Sequence, residues 1–161
     1  MRANPWIVLL PALALLGAPG CASSIKSSQV RVIAAPPAAA RAIAIEVDTE
    51  LPYIEEYQAS LRRDLQDEFA ALGYRVGSGD LALKATITKL HLGDTAANVT
   101  LGLGIGKDTI DVSVALSDST HAPRMTFVVH GAAIDKRYVD LNGVISGVAR
   151  KVAEEVKRAS K

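Results

Sequence analysis

Hydrophobic and polar residues alternate or recur along this chain with periods that name its elements. Ile43, Ile45 and Val47 are separated by Ala44 and Glu46, the two-residue period of a strand with one buried face. Pro52 opens a segment in which Ile54, Tyr57, Leu61, Leu65, Phe69 and Leu72 recur every three or four residues. That spacing makes one apolar stripe on a helix, with Arg62, Arg63, Gln66 and Asp67 facing water and Gly73 ending it. Leu81, Leu83, Ala85 and Ile87 alternate again, and past Lys89 the phase slips to Leu90 and Leu92, which predicts a bulge or a strand end. Two further alternating runs, Ile110–Leu116 and Met125–Val129, flank the short connection Ser119–Pro123 and read as hairpin partners. A second helix follows, capped by Asp140 or Asn142, with Leu141, Ile145, Val148, Val152, Val156 and Ala159 as its buried stripe. Arg150 with Glu154, and Lys151 with Glu155, stand one turn apart on its expected wet side. The expected fold class is α+β: a mixed four-stranded sheet, in the order strand–helix–strand–strand–strand–helix, with both helices on one face. Two weaker signals remain, Tyr74–Val76 as a short strand and Gln29–Ile33 as an extra edge strand.

The amino-terminal pattern is different. Arg2 supplies charge, Trp6–Leu16 is an apolar run, and the small residues Gly17, Ala18, Pro19 and Gly20 lead to Cys21, the only cysteine. This order is that of a secretory signal. The apolar run is short of the roughly 20 residues that span a bilayer, so removal after export is expected rather than retention as a membrane helix. Gly20-Cys21-Ala22 resembles the lipobox of bacterial lipoproteins, in which the thiol becomes a thioether to diacylglycerol. One cysteine cannot form an internal disulfide, and lipidation removes an exposed thiol from an oxidising compartment. Ala22 stands where an aspartate often retains such proteins on the inner membrane. The resemblance therefore implies the periplasmic face of the outer membrane.

The expected organisation is a lipoprotein signal peptide over 1–20, a lipid-anchored Ser/Ala/Pro tether over 21–41, and a single domain over 42–161. The tether is read from four serines, Ser23, Ser24, Ser27 and Ser28, and from the Pro36-Pro37 pair among alanines. Formal net charge is +1 with neutral histidines and falls to about zero once Arg2 is removed. A nucleic-acid partner has no electrostatic support. Aromatic residues make up only 4% of the chain, so aliphatic side chains and alanine must fill the core.

Gly102-Leu103-Gly104-Ile105-Gly106, the strand Ile110-Asp111-Val112-Ser113-Val114-Ala115-Leu116 and Asp118 at its end resemble a family of small Gram-negative lipoproteins with a domain of unknown function. Their layout is similar to that of LptE-like lipoproteins and the amino-terminal domain of TolB. The resemblance implies fold and envelope location and carries no settled activity.

The remaining motifs argue against chemistry. Gly106-Lys107 invites comparison with a phosphate loop, but Leu101 stands where a Walker A glycine belongs and Asp108 where Ser or Thr must follow the lysine. No nucleotide or other cofactor is expected. His91, His121 and His130 have no partner at metal-ligand spacing and read as solvated side chains, His130 on the wet side of its strand. Ser113, Ser117 and Ser119 lack a nucleophile elbow. Asp111, Asp118, Glu46 and Asp48 are expected on the polar outer face of the sheet. Gly143 and Gly147 mark close packing of the second helix. Leu101, Leu103 and Ile105, alternating with glycines and followed by Lys107, form the candidate partner-contact loop.

The expected function is that of a non-enzymatic outer-membrane lipoprotein that binds or positions another cell-envelope component. Its partners are the membrane, through a lipid on Cys21, and an envelope protein. The alternative is a periplasmic carrier of a lipid or small apolar ligand, held between sheet and helices.

Overall fold

The computed structural model describes residues 23–93, 107–133 and 140–161. Its elements are β1 (Ser23–Val32), β2 (Ala42–Thr49), α1 (Glu55–Ala71), β3 (Arg75–Val76), β4 (Leu81–His91), β5 (Thr109–Asp118), β6 (Pro123–Ala133) and α2 (Leu141–Ala159). They form one mixed sheet in the order β1-β6-β5-β4-β2-β3. β2 runs parallel to β3 and β4, while β4, β5, β6 and β1 are successively antiparallel. The class is α+β, as the periodicity predicts, but the sheet has six strands and not four.

Both additional strands carry weak sequence signals. β3 is two residues long. β1 lies where a tether is expected, and the 21–41 assignment is corrected accordingly: Ser23–Val32 is an edge strand and 33–41 a loop. Serine-rich sequence hides this strand because a single one of its side chains, Ile25, packs on the core. Its partner β6 supplies the ladder instead, from Ser23 opposite Ala133 to Val32 opposite Met125. A register shift between Ser28 and Arg31, with Gln29 at φ 53°, breaks the free edge near the exposed Val30 and Val32. Bulged edges are poor templates for pairing with another chain.

Leu83, Ile87, Val112, Leu116, Phe127 and Val129 point from the sheet towards the helices, which bury Leu61, Leu65 and Phe69 of α1 and Val144, Ile145, Val148 and Val152 of α2. Ser146 of α2 donates to the Asp64 carboxylate of α1 at 2.5 Å, and Arg150 pairs with Glu68 of α1 at 3.3 Å. Gly73 ends α1 at φ 88°, a conformation that disfavours any residue with a Cβ. Asp140 caps α2, accepting from the Gly143 amide at 2.9 Å. The expected bulge falls between Ile87 and Lys89 of β4.

α2 sits closest to the sheet at two glycines. A Cβ on Gly131 would approach Val144 Cγ1 to 2.6 Å and Val148 Cγ2 to 2.8 Å. A Cβ on Gly147 would lie 2.9 Å from Ile25 Cγ1, so this glycine admits β1 beside the helix. Glu155, expected on the wet face, is 1% exposed and receives a hydrogen bond from Ser27 of β1 at 2.7 Å. Burial pushes its carboxyl up. Hydrogen bonds from Ser27 and Lys151, with the charges of Lys151 and Arg158, more than reverse that and hold it below the usual range. A buried carboxylate thus clasps the edge strand to α2.

Strand directions divide the molecule into two ends. At one end β1 begins, β2, β4 and β6 finish, β5 begins and both helices start. The opposite end holds the 33–41 loop, the α1–β4 connection, the β5–β6 turn and the chain terminus. The described chain enters this first end at Ser23, two residues after Cys21 in sequence.

Candidate functional site

Asp111 of β5 and His130 of β6 are cross-strand neighbours on the sheet face that carries no helix. Asp111 Oδ1 lies 2.9 Å from His130 Nδ1, and Ser28 Oγ of β1 lies 2.6 Å from His130 Nε2. Both ring nitrogens are therefore engaged and the imidazole is fixed in orientation. The sequence reading treats His130 as solvated; it is on the open face as expected but is held on both sides. Ser28 escapes sequence reasoning because it lies 102 residues from His130 in a segment read as tether. β1 alone brings the two together.

The order Ser–His–Asp is that of a hydrolase relay. The relay orients an imidazole. Acyl transfer further requires a cavity that excludes water and donors aimed at a developing oxyanion. These side chains instead lie at a half-exposed strand surface beside a shallow cleft, with the His130 side chain 45% exposed.

The cleft, of about 330 Å³, is lined among others by Ser24, Lys26, Lys89, Thr109, Asp111 and His130. Register explains the grouping. Lys26 stands opposite His130, His130 opposite Asp111, and Asp111 opposite Lys89, one row across four strands. The Thr88 bulge matters here, because it turns Lys89 onto the open face while Leu90 returns to the core.

The other acidic residues do not join this row. Glu46 and Asp48 flank Lys84 on the open face at 3.6 and 3.4 Å. The Thr49 amide and Lys84 hold the Asp48 carboxyl below its usual range, and Glu46 and Asp48 raise the ammonium of Lys84. Asp118 is expected on the same face and is not there. It falls in phase with Val114 and Leu116, is 7% exposed, and organises the β5–β6 turn. Its carboxylate accepts from the Thr120 hydroxyl and amide, from the Ala122 amide and from two guanidinium nitrogens of Arg124. Those bonds, led by Thr120 and Arg124, hold its carboxyl well below the usual range. Among the described residues no group of three or more His, Cys, Asp or Glu is placed to hold a metal ion. His91 and His121 are exposed, His121 in the turn at φ 62°.

Cys21, Leu101, Leu103 and Ile105 lie outside the described residues. Lys107 is described and exposed. Gly93 and Lys107, the described residues on either side of 94–106, are both at the end of the molecule where β1 begins. Tyr53, 91% exposed, and Leu92, 56% exposed, are at this same end. No described helix is long and apolar enough to cross a membrane.

No protein-family model matches the chain, and no curated protein matches its sequence. Solved structures do match its fold. A PelC dodecamer from Paraburkholderia phytofirmans aligns with a TM-score of 0.59 at 11% identity, covering 83% of this chain and 96% of that one. A single-substitution variant of that PelC in another crystal form aligns at 0.54, with the same identity and coverage. A minor lipoprotein from Acinetobacter baumannii aligns at 0.39, 11% identical, over 73% of this chain and 91% of that one. The PelC alignments show that the arrangement of strands and helices is shared.

Proposed function

We propose that this protein is a lipid-anchored envelope module of the outer membrane, non-enzymatic, held with one end against the periplasmic surface of the bilayer, where it binds or positions another envelope component. The observation that carries the reading is the place of β1. If Cys21 carries a diacylglyceryl group, the folded domain starts two residues from the bilayer, with no leash between them. Two or more acyl chains hold a protein stably where one holds it marginally.

The composition of that end supports the same reading. Tyr53 and Leu92 are exposed there, and aromatic side chains suit the membrane–water interface. Leu101, Leu103 and Ile105 belong to a segment whose two ends emerge at the same place, which makes them contacts for lipid or for a membrane-bound partner. The open sheet face is lined by small and hydroxyl side chains such as Ala44, Thr86, Ser113 and Ala115, so a protein partner engaging it makes polar contacts. The carrier alternative finds less support, since among the described residues between sheet and helices Phe69, Phe127, Leu83 and Ile145 are each at most 2% exposed.

A photo-activatable residue at Tyr53 or Leu92 is expected to capture lipid in intact envelopes, while one at His121, at the opposite end, captures none. Equal capture from the two ends contradicts the orientation. The same label at Leu103 or Ile105 is expected to trap an envelope protein or lipid; capture at background level contradicts the contact role of that loop. Sedimentation of the captured species distinguishes a foreign partner from a second copy of this chain.

A further inference from the structure

The row Lys26–His130–Asp111–Lys89 is the strongest unassigned feature of the molecule. Three strand spacings separate its outer members, on the order of 14 Å between their Cα atoms. Lysine side chains are long enough to bring both ammonium groups over the central pair. Neither Lys26 nor Lys89 has an ion-pair partner among the described residues. Lys84, on the same face, is by contrast held by two carboxylates. Among the described residues, basic charge on the open face is therefore matched at β2–β4, while in the cleft two ammonium groups share the single carboxylate of Asp111. The hydroxyls of Ser24 and Thr109 line the cleft beside the lysines. Asp111 is engaged by His130, and Ser28 holds the other side of the ring, so a fixed imidazole lies between the two lysines.

Two ammonium groups and two hydroxyl donors around one shallow depression, beside an imidazole whose nitrogens are taken up by Asp111 and Ser28, constitute a site for a compact oxyanion. Ser24 is three residues from Cys21. We propose that this cleft binds the phosphate of a membrane lipid head group, seating the domain on the bilayer beside its own anchor. The choice of lipid as the source of the phosphate rests on the anchored reading above; the cleft's affinity for phosphate rests on the described residues alone.

The test uses the mature chain from residue 21 with Cys21→Ser, which contains every described element and lacks the acyl chains. Vesicles of phosphatidylglycerol, vesicles of an uncharged glycolipid without phosphate, and inorganic phosphate are the three probes. Binding is read by co-sedimentation and by the His130 imidazole NMR resonances. The cleft predicts binding to phosphatidylglycerol, none to the glycolipid, and a shift of the His130 resonances with the bound vesicle. Lys26→Ala with Lys89→Ala should weaken vesicle binding about thirtyfold, at roughly one lysine's surface attraction each, with thermal stability unchanged. Lys84→Ala is the control and should leave binding within about twofold. Equal loss in the control, or no loss in the double variant, overturns the proposal. Binding of inorganic phosphate at His130 without vesicle binding overturns the head-group assignment and gives the cleft to a soluble phosphate compound. Mass spectrometry of the native amino terminus reports the anchor separately, so failure of the cleft and failure of the anchor are distinguishable.

Discussion

At the residue scale, single carboxylates do the organising. Asp118 gathers five hydrogen bonds at the β5–β6 turn, and its ionised form is the one that they favour. A depressed folded-state pKa contributes stability that is fully present above the unfolded carboxyl value, near 4, and is lost as pH falls towards the folded one. Asp118→Asn is therefore expected to lower Tm by several degrees at neutral pH. The gap to wild type should narrow steadily below about pH 4 in thermal melts, and a gap independent of pH contradicts this account. Ser28 supplies a second residue-scale prediction. On the non-enzymatic reading proposed above its hydroxyl serves to orient His130, so a fluorophosphonate probe should leave it unlabelled under conditions that label a serine hydrolase. Stoichiometric labelling lost in Ser28→Ala would contradict the non-enzymatic reading.

At the element scale, β1 decides the architecture, and three contacts keep it in place: the ladder with β6, Ile25 over Gly147, and Ser27 on Glu155. Gly147→Leu drives a branched side chain into Ile25 and is expected to cost about 1–3 kcal/mol. Glu155→Ala removes the acceptor of Ser27 and the partner of Lys151 and should cost about 2–3 kcal/mol. Hydrogen exchange should show β1 amides losing protection first in both variants, before those of β4 and β5. Uniform loss across the sheet contradicts β1 as the weakest-held strand. The elements with strong periodicity, α1, β4, β5, β6 and α2, were legible because each buries several apolar side chains at regular spacing. β1 was not, because its sequence offers the core one isoleucine and its attachment is made by hydrogen bonds, a buried glutamate and a glycine on a distant helix. Glu155 was misplaced for the same reason: its i,i+4 lysine suggests water, and nothing local announces Ser27. The Ser28–His130–Asp111 relay was illegible in turn, since it exists only once β1 is in the sheet.

At the scale of the whole molecule, topology sorts the surface. The start of β1 and the strand and helix ends beside it lie at one pole, together with Tyr53, Leu92, Lys107 and the cleft between Lys26 and Lys89. The proline-bearing 33–41 loop, expected beside the membrane as a leash, runs instead at the opposite pole, beneath the carboxyl ends of both helices. On the anchoring proposed above, the domain is seated close to the bilayer and not suspended from it, with the residues near the surface set by strand direction. The proposed seating depends on what is attached to the sole cysteine. Intact-mass and fragment spectrometry of the amino-terminal peptide purified from envelopes tests it most directly. A chain starting at Cys21 and bearing a diacylglyceryl thioether is expected. A chain starting there with a free thiol, or an unprocessed terminus, would contradict it.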